Sequence, residues 1–361
     1  MSDIQNNIVI DNGSGSIKCG FSGEEAPKSI FSNIISESGE VGNEKLDLNL
    51  IHHPVQYGII KNFEEMEKIW VHTFQNELRV NSDERNILIN DNPGAPKINR
   101  EKITQIMFEN FNVQGLFICV QPMLSLYSVG KTTGLIIDSG EDSTNIVPII
   151  EGYSFPYIIT KSLFGGKNIT KFLADKLKEK NNIIDFNKYE YRKLAEEIKE
   201  KSSRVSLNYE YDLKNSNNNS EVQYKLPDGN DLNIGKELFI CPESIFKPEL
   251  LGEEHPGLHL QIYNSIMKSE IENRKDLYNN IILSGGNTLL MNFPERITIE
   301  VQKLVSSNLI GKLKVTHTSE RKYSAWIGGS ILAGLGNFQN MWITHSEYQE
   351  SGPQVVHRKC L

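Results

Sequence analysis

Ile8-Val9-Ile10-Asp11-Asn12-Gly13-Ser14-Gly15 is an apolar run ending in Asp-polar-Gly, and its outline returns as Leu135-Ile136-Ile137-Asp138-Ser139-Gly140. The echo points to two similar halves facing one ligand. Lys18 follows the first stretch, and small residues let backbone N–H groups crowd onto a phosphate while a lysine supplies positive charge. The aspartates then stand where a phosphate-bound Mg²⁺ needs hard oxygen ligands or hydrogen-bonded waters. A third apolar run, Ile281-Ile282-Leu283, opens into Ser284-Gly285-Gly286-Asn287-Thr288. Any one of these turns alone also reads as a plain hairpin or strand exit. Three in one chain point to a nucleotide cleft. Neither Gly-x-x-x-x-Gly-Lys-Ser/Thr nor a helix-opening Gly-x-Gly-x-x-Gly is present, so the P-loop and dinucleotide readings do not apply.

At 361 residues the chain exceeds the size at which one core usually keeps growing, so two domains with a cleft between them are expected. A hydrophobic fraction of 38% and a charged fraction of 23% describe a globular chain. The net charge of −8 and the lack of a basic patch disfavour nucleic acid and anionic membranes as partners. Met1 to Asn7 lacks the basic and apolar regions of a secretory signal, and no apolar run is long enough to span a bilayer. Cys19, Cys119, Cys241 and Cys360 lie far apart without a Cys-x-x-Cys pair, which argues for reduced thiols in the cytoplasm rather than zinc or disulfides. Asn168-Ile169-Thr170 and Asn218-Asn219-Ser220 are then chance matches to a glycosylation signal.

Along the chain, strand-like runs fill the first thirty-five or so residues, and residues 36–45 read as an exposed, glycine-punctuated loop. Met66, Ile69, Trp70, Phe74 and Leu78 recur at helical spacing over residues 64–80. Ile87-Leu88-Ile89 is a buried strand, and Asn99 is expected to cap a helix over 100–111. Residues 116–120 form another strand, broken by Gln121-Pro122 before a helix over 123–129, which puts Gln121 at the ligand edge of a sheet. Residues 167–201 read as solvated helices, 214–220 as a low-complexity loop tip, and Arg321 to Ser330 as the approach to a helix packed through glycines. The tail to Leu361 reads as polar. Strands and helices alternate as in α/β proteins.

Longer strings carry a resemblance. Asp11-Asn12-Gly13-Ser14-Gly15, Met66-Glu67-Lys68-Ile69-Trp70, Asn99-Arg100-Glu101-Lys102, Gln105-Ile106-Met107-Phe108-Glu109, Glu320-Arg321-Lys322-Tyr323-Ser324, Trp326-Ile327-Gly328-Gly329-Ser330-Ile331-Leu332-Ala333 and Val356-His357-Arg358-Lys359-Cys360 are similar to actin. The match runs the whole length with one substantial gap, closer to conventional actin than to actin-related proteins. The resemblance implies an α/β fold of the actin/Hsp70/sugar-kinase ATPase type, two similar domains flanking a nucleotide cleft. Residues 1–128 with 323–361 would form an outer domain, including a small subdomain at 33–53. Residues 129–322 would form an inner domain, including a subdomain at 167–257, with hinges near 121–130 and 321–324.

It further implies a cytoplasmic, cytoskeletal protein holding ATP or ADP with Mg²⁺ or Ca²⁺. Carried over by position, Asp11, Asn12, Gly13, Ser14 and Gly15 with Lys18 form one phosphate loop and Asp138, Ser139, Gly140, Glu141 and Asp142 the other. Asp11, Gln121 and Asp138 hold the cation through water, and Gln121 orients the attacking water. Gly166, Lys199, Glu200, Gly285, Gly286, Asn287 and Lys322 surround the rest of the nucleotide. The catalytic set is Gln121, Asp138 and Asn145, and the activity a weak ATPase at most.

The chain departs from the family at several of these places. Asp142 stands where a flexible glycine is usual. Two like charges about 6 Å apart repel by roughly 3 kcal/mol at an effective dielectric of 20, a cost that applies if this carboxylate points at the phosphates. Asn145 stands for a histidine and cannot pass a proton as imidazole does, so hydrolysis is expected to be slow. Glu196 replaces a basic residue and Leu290 a tyrosine beside the base, and a lost stacking partner costs roughly 1–3 kcal/mol at comparable sites. The acidic cluster that faces myosin is reduced to Asp3, which leaves myosin binding unsupported. Gly252 to Gly257 is charged where an apolar plug is usual, whereas the groove matched by Tyr127, Tyr153, Leu332, Leu335 and Met341 stays apolar and suits a helix of an actin-binding protein. Without the resemblance those five residues read as ordinary core. The readings are a filament subunit assembling with itself or actin, and a non-polymerising relative that binds actin regulators or caps filaments. A metabolite kinase finds no sugar site here.

Overall fold

The computed structural model describes residues 7–180, 185–216, 221–307 and 311–360. Asp3 and Asn218-Asn219-Ser220 lie outside the described residues. Two sheets repeat one topology. In the first, Ile8–Asn12, Ser16–Phe21 and Ser29–Ser32 form an antiparallel meander, Asn86–Asp91 and Gly115–Val120 extend it in parallel, and Ile343–Thr344 closes the edge. In the second, Gly134–Ser139, Thr144–Ile149 and Thr160–Ser162 form the meander, and Ile281–Ser284 and Val315–Thr316 extend it in parallel. The echo between Ile8 and Leu135 is therefore an echo of position, because each run is the central strand from which its sheet grows both ways. Ile8, Ile10, Leu135, Ile136 and Ile137 are fully buried. Burial on both faces makes these strands read as continuous apolar runs rather than alternating ones.

Each sheet has its own core, one built from residues between Ile8 and Leu124 together with Ala325 to Cys360, the other from Leu135 to Val305. The chain passes between them after helix Gln121–Tyr127 and again before helix Ser324–Gly334. Those two helices pack closely, since a Cβ on Gly328 would overlap the Leu124 carbonyl, and the second of them also lies close on strand Ile8–Asn12, a Cβ on Gly329 falling 2.8 Å from Val9. The glycine-mediated packing expected after Arg321 thus sits where the halves join.

The stripe Met66, Ile69, Trp70, Phe74 and Leu78 is buried in the first core. Its helix is Phe63–His72, capped by Asn62, and runs on as a π-turn over Thr73–Leu78. Three expectations need correction. Asn99 is not a cap, because the helix begins at Lys97 after Pro96, whose φ of −58° suits a helix start. The Asn99 amide instead donates to Ile60 O at 3.1 Å. The tail is not simply polar: Trp342, Ile343, Val355, Val356 and Cys360 are buried in the first core. Their spacing across several short elements shows no period. The helices Gly166–Lys180 and Tyr189–Ser202 are solvated on one face only, burying Ile169, Leu173, Leu177 and Ile198, and Lys199 is buried with them. All four cysteines are unpaired and buried. Among the described residues no helix is long and apolar enough to cross a membrane.

Candidate nucleotide site

The two Asp-containing turns face each other. A Cβ placed on Gly15 would fall 2.8 Å from the Glu141 Cβ, so the backbone of the first turn lies against the side chain of the second. Asp11 and Lys18 are cross-strand partners, and Lys18 Nζ is 3.2 Å from Asp11 Oδ2. Asp138 sits at the matching end of its own strand, and burial pushes its carboxyl up to about 6. The negative charge of Asp11 adds to that rise, while a hydrogen bond from Ser284 and the charge of Lys18 oppose it. Asp11, Lys18 and Asp138 therefore share one electrostatic environment although they come from two sheets.

Polar residues buried around this point fix the first loop. Asn90 Nδ2 donates to Asp11 Oδ1, and Asn90 Oδ1 accepts from Asn12 N at 2.6 Å. Asn33 Nδ2 donates to Gly13 O at 2.7 Å, Asn33 N to Gly15 O at 3.1 Å, and Gly58 N to Ser14 Oγ at 2.9 Å. Neither Asn90 nor Asn33 was singled out from sequence. The only signal for Asn90 is a polar pair, Asn90-Asp91, closing an apolar strand, as Asp11 closes its own.

The second loop closes through Gly140 N donating to Ser143 O at 2.9 Å. Asn287 Nδ2 donates to Ser139 Oγ at 3.1 Å and Gly140 O at 2.7 Å, which brings the third glycine turn onto the second. Gly285 has φ of +88°, and a side chain there would run into the Ser139 backbone, so glycine is required twice over. Gly166 lies where Asn287, Glu141 and Lys199 converge, and Lys199 Nζ donates to Thr170 Oγ1 at 2.8 Å and Gly166 O at 3.4 Å. Lys322 runs beside Gly286 and pairs with Glu200 at 3.8 Å. Gln121 is half-buried and opens its helix at the end of strand Gly115–Val120.

Asp138, Asn145 and Lys161 are direct cross-strand partners, so all three project from one face of the second sheet. Asn145 is 1% exposed, and its Oδ1 has no hydrogen-bond partner. An unpaired buried amide oxygen costs about 1–3 kcal/mol, so this atom suits a water or ligand donor.

Two expectations are modified here. Asp142 Oδ2 accepts a hydrogen bond from Tyr57 N of the other half, next to Gly58, whose N–H donates to Ser14 Oγ of the first loop, so a backbone donor meets part of the charge whose repulsion was argued above. Leu290 is 7% exposed and belongs to the second core, so it is no open face awaiting a ring. Glu196 is half-buried, its carboxyl raised by burial and then by Glu141.

The residues fit a cation-bound phosphate chain. Among the described residues no three or more His, Cys, Asp or Glu gather into a direct metal shell. Two carboxylates and an amide suit a Mg²⁺ that keeps its waters and takes phosphate oxygens. Of the five residues expected to line an apolar groove, Tyr153, Leu335 and Met341 are 62%, 45% and 43% exposed, whereas Tyr127 and Leu332 are half-buried, so three of the five are not core. Glu253 and Glu254 are exposed at the tip that follows Gly252. A family model of actin matches residues 2–361, and the chain belongs to the actin family.

Proposed function

We propose that the protein is an actin-like cytoskeletal component that binds ATP with Mg²⁺ between its two halves and hydrolyses it slowly. The observation that carries this reading is the convergence of Asp11, Lys18 and Asp138 at the mouths of two topologically matching sheets. In this reading the backbone N–H groups of 12–15 and 139–142 hold the phosphates, Lys18 neutralises them, and Asp11, Gln121 and Asp138 hold the waters around the cation. Gln121 positions the attacking water, and the unpaired Asn145 Oδ1 accepts from it without taking its proton, hence the slow rate. Gly166, Lys199, Glu200, Gly285, Gly286, Asn287 and Lys322 form the nucleoside end. We assign the outer domain to residues 1–128 with 323–361 and the inner domain to 129–322, a division supported by the separate cores.

Titration calorimetry with Mg-ATP tests the reading. Lys18→Ala removes a charge-assisted contact worth roughly 1.5–3 kcal/mol, so it should weaken binding by that amount while the protein stays folded. Absence of ATP binding to folded wild-type protein would refute it. A second reading, a non-polymerising relative that binds actin regulators or caps conventional filaments, draws support from the exposed groove residues Tyr153, Leu335 and Met341 and from the charged tip at Glu253-Glu254.

A further inference from the structure

Helix Gln121–Tyr127 precedes the first passage of the chain between the halves, and its side chains pack toward both sheets. Leu124 is buried in the first core, whereas Leu126 packs with Ile136, Val147, Ile149 and Ile282 of the second sheet. Side chains alternate along a strand, so Ile136 shares a face with Asp138, and Ile282 with Ser284. The face that meets this helix through its isoleucines therefore also carries Asp138 and Ser284, which are cross-strand partners.

Ser125 stands between the two leucines and is fully buried, and Ser284 is 2% exposed. Ser125 Oγ lies 3.1 Å from Ser284 Oγ and 3.3 Å from Gln121 O. Ser284 in turn donates to the Asp138 carboxylate. A buried chain of two hydroxyls thus runs from Asp138 to the first residue of the helix that carries Gln121. Each hydroxyl has one proton to give. That of Ser284 goes to Asp138, which leaves the proton of Ser125 between Ser284 Oγ and the Gln121 carbonyl. The charge on Asp138 polarises and strengthens the chain. Packing alone does not call for the pair, because replacing both partners of a buried hydrogen bond by apolar groups of similar shape is close to neutral.

We propose that Ser125 and Ser284 are positioning residues for hydrolysis, holding the start of helix Gln121–Tyr127 at a fixed distance from Asp138 so that the Gln121 amide stays in place for the attacking water. This rests on the nucleotide reading above, which assigns the two ends of the chain to the cation's waters and to the attacking water. A misplacement of about 1 Å can cost about a hundredfold in rate, so such a tie acts on the chemical step rather than on affinity.

Phosphate release is followed in the full-length protein at saturating Mg-ATP, with Mg-ATP affinity measured by calorimetry on the same samples. Ser125→Ala should slow release about tenfold, as the loss of one buried hydrogen bond implies, and leave affinity unchanged. Ser284→Ala breaks the other link and also takes a donor from Asp138, so it should slow release at least as much. A double-mutant cycle separates positioning from a merely structural role: in a Gln121→Ala background, Ser125→Ala should slow release no further, because its effect runs through that amide. Wild-type rates in both serine variants overturn the proposal. So does the full tenfold loss in the double variant, which would mean that Ser125 acts independently of Gln121, and so does a loss of affinity that matches the loss of rate. Wild-type protein that binds no Mg-ATP overturns the nucleotide reading itself, whereas binding with unaffected rates leaves that reading standing and removes only the role of the serine chain.

Discussion

The buried Asp138 carboxyl opposes the ligand-free fold at neutral pH. Asp138 is 4% exposed, and burial, reinforced by Asp11, pushes its carboxyl up to about 6 from an ordinary 3.8. The folded state thus binds this proton more tightly than the unfolded chain, so stability is lost as pH rises from the ordinary carboxylate range through about 6. A shift of this size corresponds to about 2–3 kcal/mol. Asp138→Asn should therefore raise the melting temperature of nucleotide-free protein at neutral pH while abolishing the cation-dependent part of ATP binding. A lower melting temperature would mean that Ser284 and Lys18 more than offset the burial. The neighbouring Asn145 gives the complementary prediction: Asn145→His should raise the steady-state rate of phosphate release, and Gln121→Ala should lower it. A Gln121→Ala rate equal to wild type would show that this amide does not position the water.

Between elements, the tightest constraint is where helix Gln121–Tyr127 meets helix Ser324–Gly334. A methyl group on Gly328 overlaps backbone atoms of Leu124, which cannot rotate away as a side chain would. Gly328→Ala should cost roughly 3 kcal/mol in thermal or denaturant unfolding, at the upper end of overpacking effects, because the helices that join the halves must separate. A near-neutral effect would mean that this joint is slack. The same region shows what sequence could convey. Glycines spaced along an apolar run read as close packing, and continuous apolar runs ending in Asp-polar-Gly read as central strands opening on a ligand, because both signals are local. Asn33, Tyr57, Asn90 and Lys161 were illegible for the opposite reason. Each acts through a partner far along the chain, as Lys161 does on Tyr57 and Asn90 on Asp11. The buried tail residues Trp342, Val355 and Cys360 likewise belong to several short elements, and periodicity has nothing to count there. Asn99 misled because a cap-type residue followed Pro96, which had already started the helix.

For the whole molecule, the resemblance locates one substantial gap in the loop over residues 36–49, where conventional actin carries an apolar-tipped projection that inserts into the next subunit. Here the loop holds Glu37, Glu40, Glu44, Lys45 and Asp47, and its carbonyls at Glu44 and Leu46 face Arg192 of the same chain. A subunit contact without its buried apolar anchor loses much of its affinity, because a few central residues dominate an interface. Glu253 and Glu254 are exposed where the resemblance implies a second apolar insert, and like charges placed between strands would add repulsion. The protein alone is therefore expected to stay in the supernatant when sedimented with Mg-ATP at low micromolar concentration. The loss is one-sided, however, since the surface that receives a neighbour's loop is not the surface that has lost one. The protein should accordingly add to one end of conventional actin filaments and slow further growth there, which an elongation assay from capped seeds reads directly. Abundant filaments of the pure protein in electron micrographs would overturn this expectation, and would mean that the remaining contacts hold subunits together without either insert.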